Sequence, residues 1–249
     1  MAEGSLIRRA RRLVAISAFA PPIVFDIYYA CWAVVDDRFG SEDLLMVGGV
    51  TLLLWLFGLW PFLATRKAPN SWPSVATPGV LMTLMMFSQF AADSRGSAGT
   101  ASVIATMIVG AAVASLSLNA RRMVLDDLSP DVVESDLTIT FKPRRGSKAI
   151  LVVGPEAIAV AEDSQRPDRF HTAASYDEIS TVTTWTEVED TEWKLPGDEE
   201  ERTVSMPAGE LLSIDIPAGQ LVVAVHDTAK VKRFVEARLA LRQVGVEEQ

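Results

Sequence analysis

Four apolar stretches, residues 13–35, 44–65, 75–92 and 101–118, fill most of the first half of this 249-residue chain. A run of about 18 residues, rising about 1.5 Å per residue, is long enough to cross a hydrocarbon core of roughly 30 Å. The pattern predicts an N-terminal all-α four-helix transmembrane bundle over residues 1–125. Pro78 and Gly79 interrupt the third run near its start, which leaves a shorter or re-entrant segment open there. Arg8, Arg9, Arg11 and Arg12 precede the first run, Arg66 and Lys67 separate the second from the third, and Arg121 and Arg122 follow the fourth. The other two loops carry only Arg38 and Arg95, and the first of them is acidic. Lys and Arg collect in short cytoplasmic loops. The expected protein is therefore multi-pass in the cell membrane, with both termini cytoplasmic.

A cleaved signal peptide also joins a basic start to an apolar core. Here the first run is longer than such a core, contains Pro21, Pro22 and Asp26, and lacks a small-residue cleavage site before the acidic loop. It is read as a retained helix. The single cysteine, Cys31, rules out a disulfide framework within the chain.

Charge changes abruptly after Leu125. Residues 1–125 hold ten Lys and Arg against seven Asp and Glu, whereas residues 126–249 hold 13 against 25. The overall −9 thus combines a tail at −12 with a front half at +3. A tail of that sign is repelled by nucleic acid, which is excluded as a partner. Residues 126–135, rich in Asp, Ser and Pro, read as a linker.

Beyond the linker, short alternating or β-branched runs are separated by turn residues, as strands are. They fall at 137–141, 149–153, 157–161, 179–186, 202–206, 211–216 and 221–225, followed by a C-terminal amphipathic helix from Asp227 or Thr228. About seven strands suffice for a small antiparallel sandwich or partly open barrel. The run Val153-Gly-Pro-Glu-Ala-Ile-Ala-Val160, the run Ala174-Ser-Tyr-Asp-Glu-Ile-Ser-Thr-Val182, the paired late strands and the closing helix together resemble the bacterial pleckstrin-homology (PH)-like domains attached to membrane helices. Ala157 stands where a glycine is common in that family, and Tyr176 where a tryptophan is common. The resemblance covers residues 136–243. It implies a mainly-β PH-like sandwich or barrel, capped by the helix, over residues 136–249. Domains of this fold bind lipids, peptides or proteins, so fold does not fix the ligand.

The basic turn Lys142-Pro-Arg144-Arg145-Gly-Ser-Lys148 is the leading candidate site. Lys142, Arg144, Arg145 and Lys148 can grip a phosphorylated headgroup or a protein partner, or simply solvate a hairpin tip. The opposite cluster, residues 187–202, holds eight acidic residues against Lys194 and Arg202 and reads as a mobile loop or irregular hairpin. Trp185 and Trp193 are its potential anchors for a basic partner. In the first run, Asp26 is a carboxylate that hydrocarbon disfavours, so it is either hydrogen-bonded between helices or part of an ion relay. Ser102, Thr106, Gly110 and Ala114 recur every four residues in the fourth run, as in a helix-packing seam within the bundle or a homo-oligomer.

Enzyme chemistry lacks a carrier. His171 and His226 stand far apart with no cysteine near them, and no G-x-S-x-G, phosphate-loop or H-E-x-x-H motif occurs. No cofactor or metal is expected. The favoured reading is a non-catalytic membrane protein, a scaffold or accessory subunit whose tail binds membrane lipid or a protein partner. A small channel or transporter accessory working through Asp26 is the alternative.

Overall fold

Proline at position 22 shapes the first helix and its neighbour. α1 spans Ser5–Asp36 with Pro21 and Pro22 inside it, in a computed structural model that describes residues 4–36, 41–75, 77, 80, 81, 97–126, 128–161, 170–196 and 203–247. Proline carries no N–H, so Pro22 leaves the carbonyl of Ala18, one turn back, without its helical donor. α2, Ser41–Thr65, approaches α1 at that carbonyl. A Cβ on Gly58 of α2 would lie 2.7 Å from Ala18 O, so only glycine permits the approach. Phe19 then stacks on Trp55 with centroids 5.2 Å apart and meets Phe62 edge-on at 5.9 Å. α1 buries Ile7, Ala10, Val14, Ser17 and Ala18 along one stripe, the three- and four-residue spacing of a packed helix face. Its neighbours are α2 and α3, Ser97–Leu125.

This packing changes the reading of the N-terminal half. Among the described residues, one helical stretch, Met107–Leu125 of α3, is long and apolar enough to cross a membrane, and 22% of it is buried. The four-helix transmembrane bundle is therefore corrected, and with it the multi-pass cell-membrane topology and the placement of both termini in the cytoplasm. Run length alone does not make a span: α1 buries part of its apolar face in packing on α2 and α3, whereas α2 leaves Leu52, Leu53, Leu56, Leu59, Trp60 and Leu63 exposed. Of the third run, residues 75, 77, 80 and 81 are helical and the rest lies outside the described residues. Of the expected seam of α3, Gly110 is half-buried, where a Cβ would lie 3.2 Å from Val80 Cγ1, Ala114 is exposed, and the side chains of Ser102 and Thr106 lie outside the described residues; further along, Val113, Ser117, Ala120 and Val124 are buried. Trp72 is fully buried and donates its indole N–H to Thr65 O at 3.2 Å.

The chain divides into two compact units, Met1–Asp127 and Leu128–Gln249. The second is mainly β. Strands β1 (Ile139–Phe141), β2 (Ile150–Val153), β3 (Ala157–Ala161) and β4 (Phe170–Ser175) form one antiparallel sheet in that order. β5 (Thr181–Glu187), β8 (Gly209–Ile216) and β9 (Gly219–Val223) form a second. β6 (Thr191–Lys194) and β7 (Thr203–Met206) pair with each other between β5 and β8 in sequence. The two larger sheets meet at one corner, where Pro143 bridges Val225 and Arg144 N–H donates to Ala224 O at 2.7 Å. The register explains the composition of β2 and β3. Both are buried along nearly their whole length, which is why residues 149–153 read as continuously apolar rather than alternating.

A short helix α4, Pro130–Val133, opens this unit, and α5, Thr228–Glu247, closes it. Arg238 of α5 is only 3% exposed. Its guanidinium donates to Leu137 O at 2.8 Å and to Val132 O and Val153 O at 3.3 Å, and it lies 4.8 Å over the Phe234 ring. Next to it Tyr176, in the 3-10 turn Tyr176–Glu178, donates its hydroxyl to Gly154 O at 2.8 Å. One turn further along α5, Arg242 donates to Pro155 O at 2.6 Å. Residues 130–137, β2 and the β2–β3 turn are thereby tied to one helix. Burial pushes the Arg238 guanidinium below its ordinary value, an effect that Tyr176 opposes. Burial likewise raises the Tyr176 hydroxyl, against the nearby Arg238 charge.

Because its folded value lies above the ordinary value of about 10, Tyr176 contributes stability that is complete below about pH 10 and lost as pH rises through the folded value. Tyr176→Phe removes both this dependence and a buried hydrogen bond. The variant is expected to be about 1–2 kcal/mol less stable at neutral pH, with a gap from wild type that narrows above about pH 10 in chemical denaturation. A constant gap across that range would contradict the assignment.

Candidate functional site

The basic turn lies between β1 and β2, and its four cations divide into two groups. Lys142, Arg145 and Lys148 are exposed, while Arg144 is half-buried. The chain reverses at Gly146, whose φ of +100° is unfavourable for other residues. Arg144 reaches across to the turn joining β7 and β8 and donates to the carbonyls of Pro207, of Ala208 at 2.9 Å and of Glu210 at 3.1 Å. Gly209 in that turn has φ +121°, and a Cβ there would stand 2.7 Å from Arg144 Nη1. Sequence reading grouped Arg144 with the ligand cations. The structure assigns it instead to holding two turns together, which leaves Lys142, Arg145 and Lys148 facing solvent. A guanidinium fork suits paired carbonyls in a way that an ammonium does not.

The described part of the acidic stretch belongs to a hairpin, one of the two forms expected of it. Residues 191–194 and 203–206 pair strand to strand, residue 191 opposite 206 and 194 opposite 203. Residues 197–202 lie outside the described residues. Asp190 accepts the Ala208 N–H at 2.8 Å, which fixes the start of the hairpin to the turn that Arg144 holds. Pairing also brings Trp185 of β5 and Trp193 of β6 together, with centroids 5.6 Å apart and planes tilted by 51°. Trp193 donates its indole N–H to Gln220 O at 3.4 Å. Beside it opens a shallow cleft of about 420 Å³ lined by Trp193, Lys194, Pro196, Gly219 and Gln220. The two tryptophans stand out in the sequence, but the cleft does not, because Pro196 and Gly219 are brought together only by the fold.

Asp26 is half-buried in α1, and Pro21 and Pro22 before it are buried. With the four-helix bundle corrected, transport through such a bundle has no support. His171 lies in β4, and His226 is exposed after β9. Among the described residues no three His, Cys, Asp or Glu side chains are grouped as metal ligands. In comparisons with known proteins, no family model, no curated protein and no solved structure matches the chain.

The Arg144 clamp is directly testable. Arg144→Ala leaves three carbonyls without their donor and is expected to cost about 2–3 kcal/mol, read as faster amide exchange in the turns at 142–148 and 207–210. Arg144→Lys should recover only part of the loss. An unchanged exchange pattern in Arg144→Ala would show that the contacts carry no weight.

Proposed function

We propose that this chain is a non-catalytic, membrane-associated binding protein whose C-terminal unit is a PH-like module that takes the anionic headgroup of a membrane lipid. The observation that carries the reading is the β1–β2 turn. Lys142, Arg145 and Lys148 are exposed on a turn that Arg144 pins from behind, so the ligand cations stand on a rigid base rather than a mobile tip. Preorganised cations lose less side-chain entropy when they bind.

Two further features support it. Only 22% of the apolar stretch Met107–Leu125 is buried, with Ile104, Met107, Ile108 and Leu118 among the exposed residues in and next to it. Exposed apolar surface of that extent marks a lipid or protein contact. Arg121 and Arg122 lie at its C-terminal end, as interfacial cations do. It ends 17 residues before Lys142 in sequence, so the basic turn follows the apolar helix closely along the chain. The C-terminal unit holds a four-stranded, a three-stranded and a two-stranded antiparallel sheet and a closing helix, and the PH-like reading of it rests on the sequence resemblance.

Vesicle flotation of the full-length protein tests both halves of the proposal. The protein should float with zwitterionic vesicles through α3 and bind more tightly once anionic lipid is added. At about 1 kcal/mol per cation near a charged surface, three cations predict a gain of roughly 100-fold. The triple variant Lys142→Gln, Arg145→Gln, Lys148→Gln should keep the first interaction and lose the gain. Failure to float with any vesicle removes the membrane part, and a gain that survives in the variant removes the headgroup site.

A further inference from the structure

We infer that α2 is a second lipid-contacting helix, laid with one apolar stripe against the acyl chains of a bilayer and with Trp60 at headgroup depth. The inference rests on the membrane association proposed above and extends it from α3 to α2. No charged side chain stands between Asp43 and Arg66, so α2 carries no charge over most of its length. One side of it is used on α1, through Trp55, Gly58 and Phe62. Leu52, Leu56, Leu59 and Leu63 are all exposed. Their spacing of four, three and four residues puts them on one stripe, about a third of a turn away from the α1 side. Leu53 and Trp60 flank the stripe, and Trp60 is 79% exposed. A contiguous apolar surface of this kind marks a contact that the chain does not make with itself.

The order of residues along α2 selects the occupant. The leucine stripe comes first, Trp60 stands near its end, and the exposed Arg66 and Lys67 follow. Residues 44–92 contain no Asp or Glu. A bilayer presents the same order: hydrocarbon, then an interface that accommodates an indole, then phosphates that attract cations. α1 supplies a cation at the same depth. Only residues 37–40 separate α1 from α2, too few to run back along a helix, so the two are antiparallel. Phe19 faces Trp55 and Phe62, and two turns back along α1 bring the exposed Arg12 level with Arg66. The order recurs on α3, where the exposed Met107, Ile108 and Leu118 precede the exposed Arg122. A groove on a protein partner would account for the leucines alone. A phosphate layer also accounts for cations placed beyond the apolar part of both helices.

The test uses the full-length protein and phosphatidylcholine vesicles, which carry no net charge. Leu52→Gln, Leu56→Gln and Leu63→Gln combined replace exposed side chains only and should weaken flotation at least about tenfold. Depth is read on the wild-type protein, from tryptophan quenching by lipids brominated either near the headgroup or near the chain end. The share due to Trp60 is the difference between wild type and Trp60→Phe, and it should be larger for the shallow bromines. Flotation of the glutamine variant with wild-type affinity would overturn the α2 contact while leaving the membrane reading through α3 intact. A Trp60 share of zero, or one larger for the deep bromines, would overturn it too, whatever the fold of the glutamine variant. Wild-type protein that floats with no vesicle removes the membrane reading itself, and this contact with it.

Discussion

A buried guanidinium holds the C-terminal unit together. Removing an arginine side chain from water is costly, and the cost is offset only when its donors are matched by acceptors of good geometry. At Arg238 the acceptors are main-chain carbonyls of residues 132, 137 and 153, and the ring of Phe234 covers one face. Those carbonyls belong to the segment before β1 and to the last residue of β2. One side chain therefore decides where the chain enters the sheet and where the closing helix lies, and Tyr176 and Arg242 extend the same bonding to the β2–β3 turn. Hydrophobic burial by α5, through Val231, Phe234 and Val235, provides stability without direction. The hydrogen bonds provide the direction.

The same device recurs at the opposite turn region. Arg144 binds the carbonyls of the β7–β8 turn, and Asp190 binds the amide of Ala208 in that turn. The basic turn and the acidic hairpin are thus both fastened to residues 207–210. Exposed loops are usually the least stable parts of a fold, and here two of them are stiffened by a shared anchor.

Much of the β unit was legible because its signal is local. Alternation in 137–141, β-branched residues in 179–186 and turn residues at 217–219 each act through near neighbours, and strands lie at or within two residues of the seven expected places. β4 and β6 were missed for the opposite reason. Residues 170–175 and 191–194 have no apolar period of their own and become strands by pairing with β3 and β7. The roles of Arg238 and Arg144 were equally hidden. In sequence both are ordinary surface-type cations, one on a polar helix face and one in a charged turn, and their acceptors lie 63 to 106 residues away. In the N-terminal half the error had another source. Hydropathy counts apolar side chains without saying what covers them: part of α1 is buried on its neighbours, and the exposed apolar residues of α2 and α3 do not by themselves make spans.

Hydrogen exchange on the full-length Arg238→Met protein tests the central claim most directly, since methionine keeps an apolar stem of similar length and removes every donor. The account predicts a local loss of about 3 kcal/mol or more, with protection falling together in residues 130–137, in β2 and in the second half of α5, while the β6–β7 hairpin exchanges as before. Protection in those three segments within about 0.5 kcal/mol of wild type would mean that apolar packing alone places the helix, and the role given to Arg238 would be wrong.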